Sequence, residues 1–232
     1  MKSYITILFS CFTILLSDDL INTKLNYTVY FRGMEAGEAY LKIQNDTLNN
    51  NSVLRLDSKL KTNKFVDLIY KIRDDITIYL DSKDLSLLKV INKINEGSYR
   101  KKHKATYNQK LKQVMNKSKS INVDFPYSPL SIIYELRNKM LMLNDVYEYN
   151  IYSIGKINNI KMKVLKKDYV KTSLGNFESI VVSPVSNTQK PLIKNNGDMK
   201  IWYTNDENRY PVKIEIKINY GKLILLLNNI EL

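Results

Sequence analysis

Alternating hydrophobic and polar residues run through most of this chain and predict β-strands. In the segment VKIEIKI at 212–218, aliphatic residues occupy every second position and charged residues occupy the positions between. Such a strand places one face on a core and the other in solvent. We therefore predict an interior face made of Val212, Ile214, Ile216 and Ile218.

Similar alternating segments recur along the chain, with turns about every 10 residues, which favours an antiparallel meander over βαβ units. A hairpin is predicted around Glu96-Gly97, a short helical turn over 63–68 and a polar loop over 189–198. A further strand begins at Val146. The other predicted strands cover 25–31, 38–44, 52–62, 69–81, 85–95, 98–109, 110–116, 158–172, 177–186, 201–203, 212–218 and 223–227.

The segment 128–139 has helical periodicity instead. Ser128 is a candidate N-cap, Pro129 suits the first turn and Lys139 lies in the last turn. Its apolar residues are more numerous than one narrow stripe requires, so we predict a helix that packs on the sheet and is covered around much of its girth. These apolar residues are Leu130, Ile132, Ile133, Tyr134 and Leu136.

The start of the chain predicts an export signal. Lys2 precedes an apolar run over 5–16, which ends abruptly at Ser17 and two aspartates. A run of this length is too short to cross a bilayer comfortably. We predict a signal peptide over 1–17, cleaved near Ser17, and a single β domain over 18–232.

The only cysteine, Cys11, lies inside the predicted signal. Lipidation of Cys11 is an open alternative. Cleavage at Ser17 would leave a mature chain without a thiol for a disulfide, a nucleophile or a metal site.

The chain is strongly basic, with a formal charge of +13. Because Lys, Asn and Ile are abundant together, this charge reflects a broad compositional bias as much as a polyanionic partner. One strand is more specific, since Arg100, Lys102 and Lys104 share one of its faces. Outward cations would attract anionic polymer or lipid headgroups in a salt-dependent way. The alternative is a solvated edge strand that lysines protect from pairing.

Residue sets typical of catalysis are missing from the sequence. The single histidine, His103, lies among basic residues that disfavour its protonation, and without it no Ser-His-Asp or Cys-His set can be formed. Adjacent Asp74 and Asp75 would point to opposite faces of a strand, whereas Asp124 and the pair 206–207 suit turns. No phosphate-binding loop or metal-ligand spacing occurs. We therefore predict no catalytic residues, no cofactor and no metal.

Three motifs together resemble a known family. Residues 27–39 (YTVYFRGMEAGEA) are similar to its opening strand and Gly-x-x-Ala-Gly-Glu-Ala turn. Residues 128–137 (SPLSIIYELR) are similar to its central Pro-Leu-Ser helix, and residues 201–212 (IWYTNDENRYPV), with the hairpin at Gly221, to its closing strands. The family is the DUF3108 domain family, exported bacterial proteins of unknown function.

This resemblance implies an all-β (mainly β) fold and a place in the bacterial envelope. The expected architecture is a curved antiparallel sheet or half-barrel meander with one packed α-helix near 128–139. A looser similarity is to half-barrels of the lipoprotein-carrier type, which hold acyl chains on their concave side. The resemblance implies no catalytic residues.

We predict a non-enzymatic envelope protein that binds a lipid or an anionic envelope component. The candidate ligand groove is Ile133, Tyr134 and Leu136, and the candidate anionic contacts are Arg100, Lys102 and Lys104. Peripheral membrane contact fits this hypothesis, whereas nucleic acid does not, because export removes the usual target.

Two alternatives stay open, a carboxylate-dependent envelope hydrolase and a protein-binding scaffold. An apolar pocket would favour the binding protein, two carboxylates in one cleft the hydrolase, and a flat exposed apolar patch the scaffold. The sequence predicts no oligomeric state.

Overall fold

A computed structural model describes residues 21–117, 119–185, 199–218 and 221–232 of the chain. The predicted signal peptide, Cys11 and the predicted loop over 189–198 lie outside these residues, as does the side chain of Ile218.

The described chain forms strands β1 to β15 and helices α1 and α2. In the first half these are β1 (Lys24–Phe31), β2 (Met34–Leu48), β3 (Asn51–Thr62), α1 (Lys64–Asp67), β4 (Arg73–Leu80), β5 (Leu87–Glu96), β6 (Tyr99–Asn108), β7 (Gln113–Asn116) and β8 (Ser120–Asn122). In the second half they are β9 (Pro126–Tyr127), α2 (Ser131–Arg137), β10 (Val146–Ser153), β11 (Lys156–Thr172), β12 (Gly175–Val185), β13 (Met199–Thr204), β14 (Pro211–Ile218) and β15 (Gly221–Glu231).

All these strands belong to one sheet with the order β8-β7-β6-β5-β4-β3-β2-β1-β15-β14-β13-β12-β11-β10-β9. Nearly every neighbouring pair is also a neighbour in sequence, and the exception is the antiparallel pairing of β1 with β15. The only parallel pair in the described sheet is β9 with β10. The two edge strands, β8 and β9, are joined by residues 123–125 alone, so the sheet curls until its edges approach each other there.

The predicted fold class is confirmed. Strands make up 68% of the structure and helices 6%. The hairpin at Gly97 and the short helical turn after Asn63 are also as predicted. Among the described residues, no helix is both long enough and apolar enough to span a membrane.

Helix α2 is enclosed by the sheet, and every one of its residues is buried. Its start is fixed by Ser128 and Ser131, each of which donates its backbone N–H to the other's Oγ at 2.9 Å. The N-cap of α2 is Leu130, which makes no side-chain capping bond, so the predicted N-cap at Ser128 is wrong. Ser128 instead closes the turn that leads into the helix, where these reciprocal bonds satisfy two backbone donors. The helix itself spans Ser131–Arg137 and is shorter than the predicted segment 128–139.

Polar side chains fix the position of α2 inside the sheet. Tyr203 donates its hydroxyl to the carbonyl of Ile133 at 3.0 Å. Arg137 donates Nε to the carbonyl of Asn208 at 3.1 Å, and its guanidinium lies 4.8 Å from the centre of the Tyr210 ring. These contacts tie the helix to the turn between β13 and β14, and the cation at the helix C-terminus also suits the helix dipole.

The strands near the two sheet edges meet at Tyr152. The hydroxyl of Tyr152 lies 2.8 Å from Nε2 of His103 and accepts a hydrogen bond from Nδ2 of Asn116 at 3.3 Å. Burial lowers the pKa of His103, and the charge of Lys101 adds to this effect. Protonation of the only histidine is therefore disfavoured, as predicted, but burial in this contact contributes more than its basic neighbours do.

The burial of β14 agrees with its predicted faces. Val212 and Ile214 are buried, and Ile216 is partly buried against the core. On the opposite face, which was predicted to lie in solvent, Lys217 is exposed, whereas Lys213 and Glu215 are partly buried.

Candidate functional site

The outward face of β6 carries the predicted row of cations. Arg100, Lys102 and Lys104 are all exposed, whereas His103 is half-buried and Ala105 is buried. The predicted alternation of outward and inward side chains along β6 is therefore confirmed.

Strand β5 adds a fourth cation that was not predicted from the sequence. Lys93 lies directly opposite Lys102 in the β5–β6 pairing, and both side chains are exposed. Like charges directly opposite each other on neighbouring strands are destabilising. We call Lys93, Arg100, Lys102 and Lys104 the cationic strip.

None of the four members of the cationic strip forms an ion pair within the described part of the chain, and the one acid directly opposite a member is Asp75 on β4, which faces Lys93. Neighbouring lysines differ, because Lys61 pairs with Glu38, and Lys59 lies 3.9 Å from Asp75. Arg100 donates Nη1 to the carbonyl of Gly97 at 2.6 Å, which orients its guanidinium. The strip is thus a local excess of positive charge.

A polar groove of about 760 Å³ adjoins the strip across β15 and β1 to β5. Its charges largely satisfy one another. Glu231, for example, accepts hydrogen bonds from Lys24 at 3.0 Å and from Asn26 at 2.7 Å. Lys93 also lines this groove, so the groove and the strip are continuous.

Asp74 is the acid of this groove whose pKa is raised. Burial raises its pKa to about 6, and the nearby Glu96 adds to the increase. One opposing contact is the backbone N–H of Asn95, which donates to Oδ1 of Asp74 at 2.9 Å. Its neighbour Asp75 pairs with Lys59 instead.

Replacing Asp74 with asparagine is expected to remove a pH dependence of stability. The folded protein holds this proton up to a pH of about 6, whereas the unfolded chain releases it near about pH 4. Stability is therefore greatest below the unfolded pKa and falls as pH rises through the folded pKa. Because solvent screens this partly exposed group, Asp74→Asn should raise the free energy of unfolding by only about 1 kcal/mol at neutral pH.

Urea unfolding across this pH window measures the effect. Asparagine keeps the Oδ1 acceptor for Asn95, so the variant should show a flatter stability profile. Asp75→Asn is the matched control and should keep the slope. An unchanged slope in Asp74→Asn would show that another group titrates there.

A second groove, of about 510 Å³, lies where α2 meets β9 and β10. Its aromatic walls are Phe125, Tyr127, Tyr147 and Tyr149. The rings of Tyr127 and Tyr149 meet edge to face at 5.1 Å. Three carboxylates line the same groove, from Asp124, Glu135 and Glu148.

Each of these carboxylates has its own lysine. Glu135 lies 2.8 Å from Lys139, Glu148 lies 2.8 Å from Lys161, and Asp124 lies 2.9 Å from Lys112. Burial raises the pKa of Glu135, while the bond to Lys139 opposes the shift. The sequence did not predict that these three acids share a groove, although the i,i+4 spacing of Glu135 and Lys139 was readable as a helix pair.

The predicted ligand-groove residues lie in the packed core. Ile133, Tyr134 and Leu136 are at most 1% exposed. A side chain that no water can touch does not line an open space, so an acyl chain could enter beside them only if α2 moved. Their role in ligand binding stays a prediction.

Two exposed apolar clusters lie away from these residues. One follows α2 and includes Met140, Met142 and Leu143. The other lies on and after α1 and includes Phe65, Leu68 and Ile69. Neither cluster was predicted from the sequence as a surface, although the second stands out in KFVDLIYK at 64–71 as an apolar segment between two lysines.

Within the described ranges, no group of His, Cys, Asp and Glu side chains has an arrangement that could hold a metal ion.

Comparison with known proteins supplies a family and a fold relative. The family described as "Protein of unknown function (DUF3108)" matches residues 26–228. A crystal structure from Brucella abortus, described as a β-barrel-like protein of domain of unknown function DUF1849, is similar in fold with a TM-score of 0.61. The two chains are 10% identical, and the similarity covers 91% of this chain and 98% of that one. No curated protein matches the sequence.

Proposed function

The chain belongs to the DUF3108 family of proteins of unknown function, and from this premise we propose that it is a non-enzymatic protein of the bacterial envelope. In this proposal the N-terminal apolar segment directs export, and the folded part binds an anionic envelope component. That component is a surface or a polymer that carries phosphate, sulfate or carboxylate groups.

The observation that carries the proposal is the pairing of Lys93 with Lys102. Both side chains are exposed on one face of the sheet, directly opposite each other. This arrangement costs stability in the free protein. A bound anion would neutralise the repulsion between the two lysines, and relief of this repulsion would add to the free energy of binding.

The geometry of the cationic strip suits an extended anion. Alternate residues of one strand lie about 6.6–6.8 Å apart along it, so Arg100, Lys102 and Lys104 repeat a positive charge at that spacing. Arg100 is also positioned by its bond to Gly97. A flexible chain or a surface with closely spaced negative groups can contact all three at once.

A second candidate function is a carboxylate-dependent hydrolase. The observation that favours it is the groove that brings Asp124, Glu135 and Glu148 together, since paired carboxylates can act as acid and base. The lysine at each carboxylate argues for the binding protein, because all three carboxylates are already engaged in ion pairs.

Replacing Lys102 and Lys104 together with glutamine is expected to weaken binding to a soluble polyanion. Each lysine near an anionic surface contributes about 1 kcal/mol, so the double variant should bind about 25-fold less tightly. The probe is dextran sulfate, with affinity measured by calorimetry at low ionic strength and again at raised salt. The melting temperature without ligand should not fall, since Lys102→Gln relieves the repulsion from Lys93.

The matched control is Lys83→Gln combined with Lys171→Gln. These two lysines are also exposed but lie outside the strip, and their loss changes the net charge equally. Their replacement should weaken binding by less than about threefold. Equal losses in the two double variants would mean that net charge alone attracts the polyanion, and the strip would not be a site.

A further inference from the structure

Helix α1 and the residues after it present apolar side chains directly to solvent. Phe65 is 66% exposed, Leu68 85% and Ile69 80%, and α1 buries none of its residues. We call Phe65, Leu68 and Ile69 the apolar tip. Clustered exposed side chains of this size mark an interaction site more often than isolated ones do.

One side of the tip is held firmly on the sheet. The side chain of Asn63 accepts a hydrogen bond from the N–H of Val66 and donates one to the carbonyl of Glu35, both at 2.9 Å. Asp67 accepts hydrogen bonds from Thr62 and from Arg73. These bonds hold the backbone of the tip in place while its apolar side chains face solvent.

The other side of the tip is joined to the start of the cationic strip. The N–H of Gly97 donates to the carbonyl of Lys71 at 2.8 Å, and the ring of Tyr70 lies so close to Gly97 that a β-carbon there would be 2.7 Å from it. Arg100 donates to the carbonyl of the same glycine. Tip and strip thus share one end of the sheet.

Cations also flank the tip in sequence. Lys64 and Lys71 are exposed on either side of it. In the described part of the chain neither forms an ion pair. The tip therefore combines an apolar centre with a positive border.

We infer that the apolar tip inserts into the interface of an anionic lipid bilayer, while Lys64, Lys71 and Arg100 contact its headgroups. The inference rests on the proposed function and names its anionic partner as a lipid surface. An anionic bilayer has negative charge above and hydrocarbon below, which complements a positive border around apolar side chains. A soluble polyanion would satisfy the cations and leave the tip in water.

The test is sedimentation of residues 18–232, the predicted mature chain, with vesicles of phosphatidylcholine, with and without phosphatidylglycerol. The tip variant carries Phe65→Ser, Leu68→Ser and Ile69→Ser. It should partition onto the anionic vesicles at least about tenfold less than the parent protein, since each buried apolar side chain adds to membrane affinity. Its affinity for dextran sulfate should be unchanged, which separates insertion from charge attraction.

The matched control carries Met140→Ser, Met142→Ser and Leu143→Ser, which removes the exposed apolar cluster after α2. It should bind vesicles as the parent does. If this control loses vesicle binding and the tip variant keeps it, the inference is overturned, and the surface after α2 is the contact. If the parent ignores vesicles and binds only dextran sulfate, insertion is wrong while the proposed function stands.

A second readout excludes unfolding as the cause of any loss. Leu68→Trp keeps an apolar tip and adds a fluorophore, while the only native tryptophan, Trp202, is buried. Its emission should shift to the blue on anionic vesicles and stay unchanged with dextran sulfate. Vesicle binding without that shift would show that the tip remains in water, which overturns the inference.

Discussion

Replacing Leu136 with alanine is expected to lower the free energy of unfolding by about 2–5 kcal/mol, as truncation of a fully buried leucine typically does. Leu136 has no exposed surface, and all of α2 is buried around it. The cavity left behind could close only if the helix or the sheet shifted. Tyr203 and Arg137 hold the helix to β13 and to the turn before β14, so such a shift would break further contacts.

Leu68→Ala is the matched control for this prediction. It is the same substitution at an exposed leucine beside α1, and its effect should stay within about 0.5 kcal/mol of zero. Urea unfolding, monitored through the fluorescence of Trp202, measures the stability of both variants. Similar losses at the two positions would contradict the enclosed position of α2.

Replacing Gly37 with alanine should cost about 3 kcal/mol or more, beyond the usual range for overpacking. A β-carbon at Gly37 would overlap the carbonyl oxygen of Lys61 and lie 2.8 Å from Cα of Thr62. Both atoms belong to the backbone of β3, which cannot move aside as a flexible side chain can. The β2–β3 pairing would have to open at Gly37 and Thr62, which are direct partners.

Gly175→Ala is a control that separates crowding from backbone strain. Gly175 has a φ of +134°, and no atom lies within 4 Å of the position that a β-carbon would take. Alanine there should lower the free energy of unfolding only through backbone strain, by about 1–3 kcal/mol. Thermal unfolding monitored by circular dichroism ranks the two variants. A smaller loss for Gly37→Ala than for Gly175→Ala would show that β2 and β3 can separate easily.

Gly37 also matters for the apolar tip. Its partner Thr62 donates its hydroxyl to Asp67 and accepts a hydrogen bond from the N–H of Ile72. These bonds hold the ends of the segment that carries the tip. Opening the sheet at Gly37 should therefore disturb membrane contact as well as stability, which is why the tip is better tested with its own substitutions.

The sequence by itself determined the local structure. Alternation of side chains is a property of each strand alone, so it predicted the all-β class, the faces of β6 and the orientation of Val212 and Ile214. The hairpin at Gly97 followed from its turn residues. The position of α2 followed from helical spacing, although the helix begins at Ser131, after an N-cap at Leu130, and is shorter than predicted.

Only the tertiary structure decided which strands lie side by side. The pairing of β1 with β15 joins Lys24 to Glu231, and no local pattern specifies that pairing, because many alternating strands would fit equally well. The same limit hid the contact of Lys93 with Lys102 and the meeting of Asp124, Glu135 and Glu148. Each depends on register and on curvature of the whole sheet. The exposure of the apolar tip was hidden for a related reason, since apolar residues in a sequence predict burial until the fold shows that nothing in the described chain covers them.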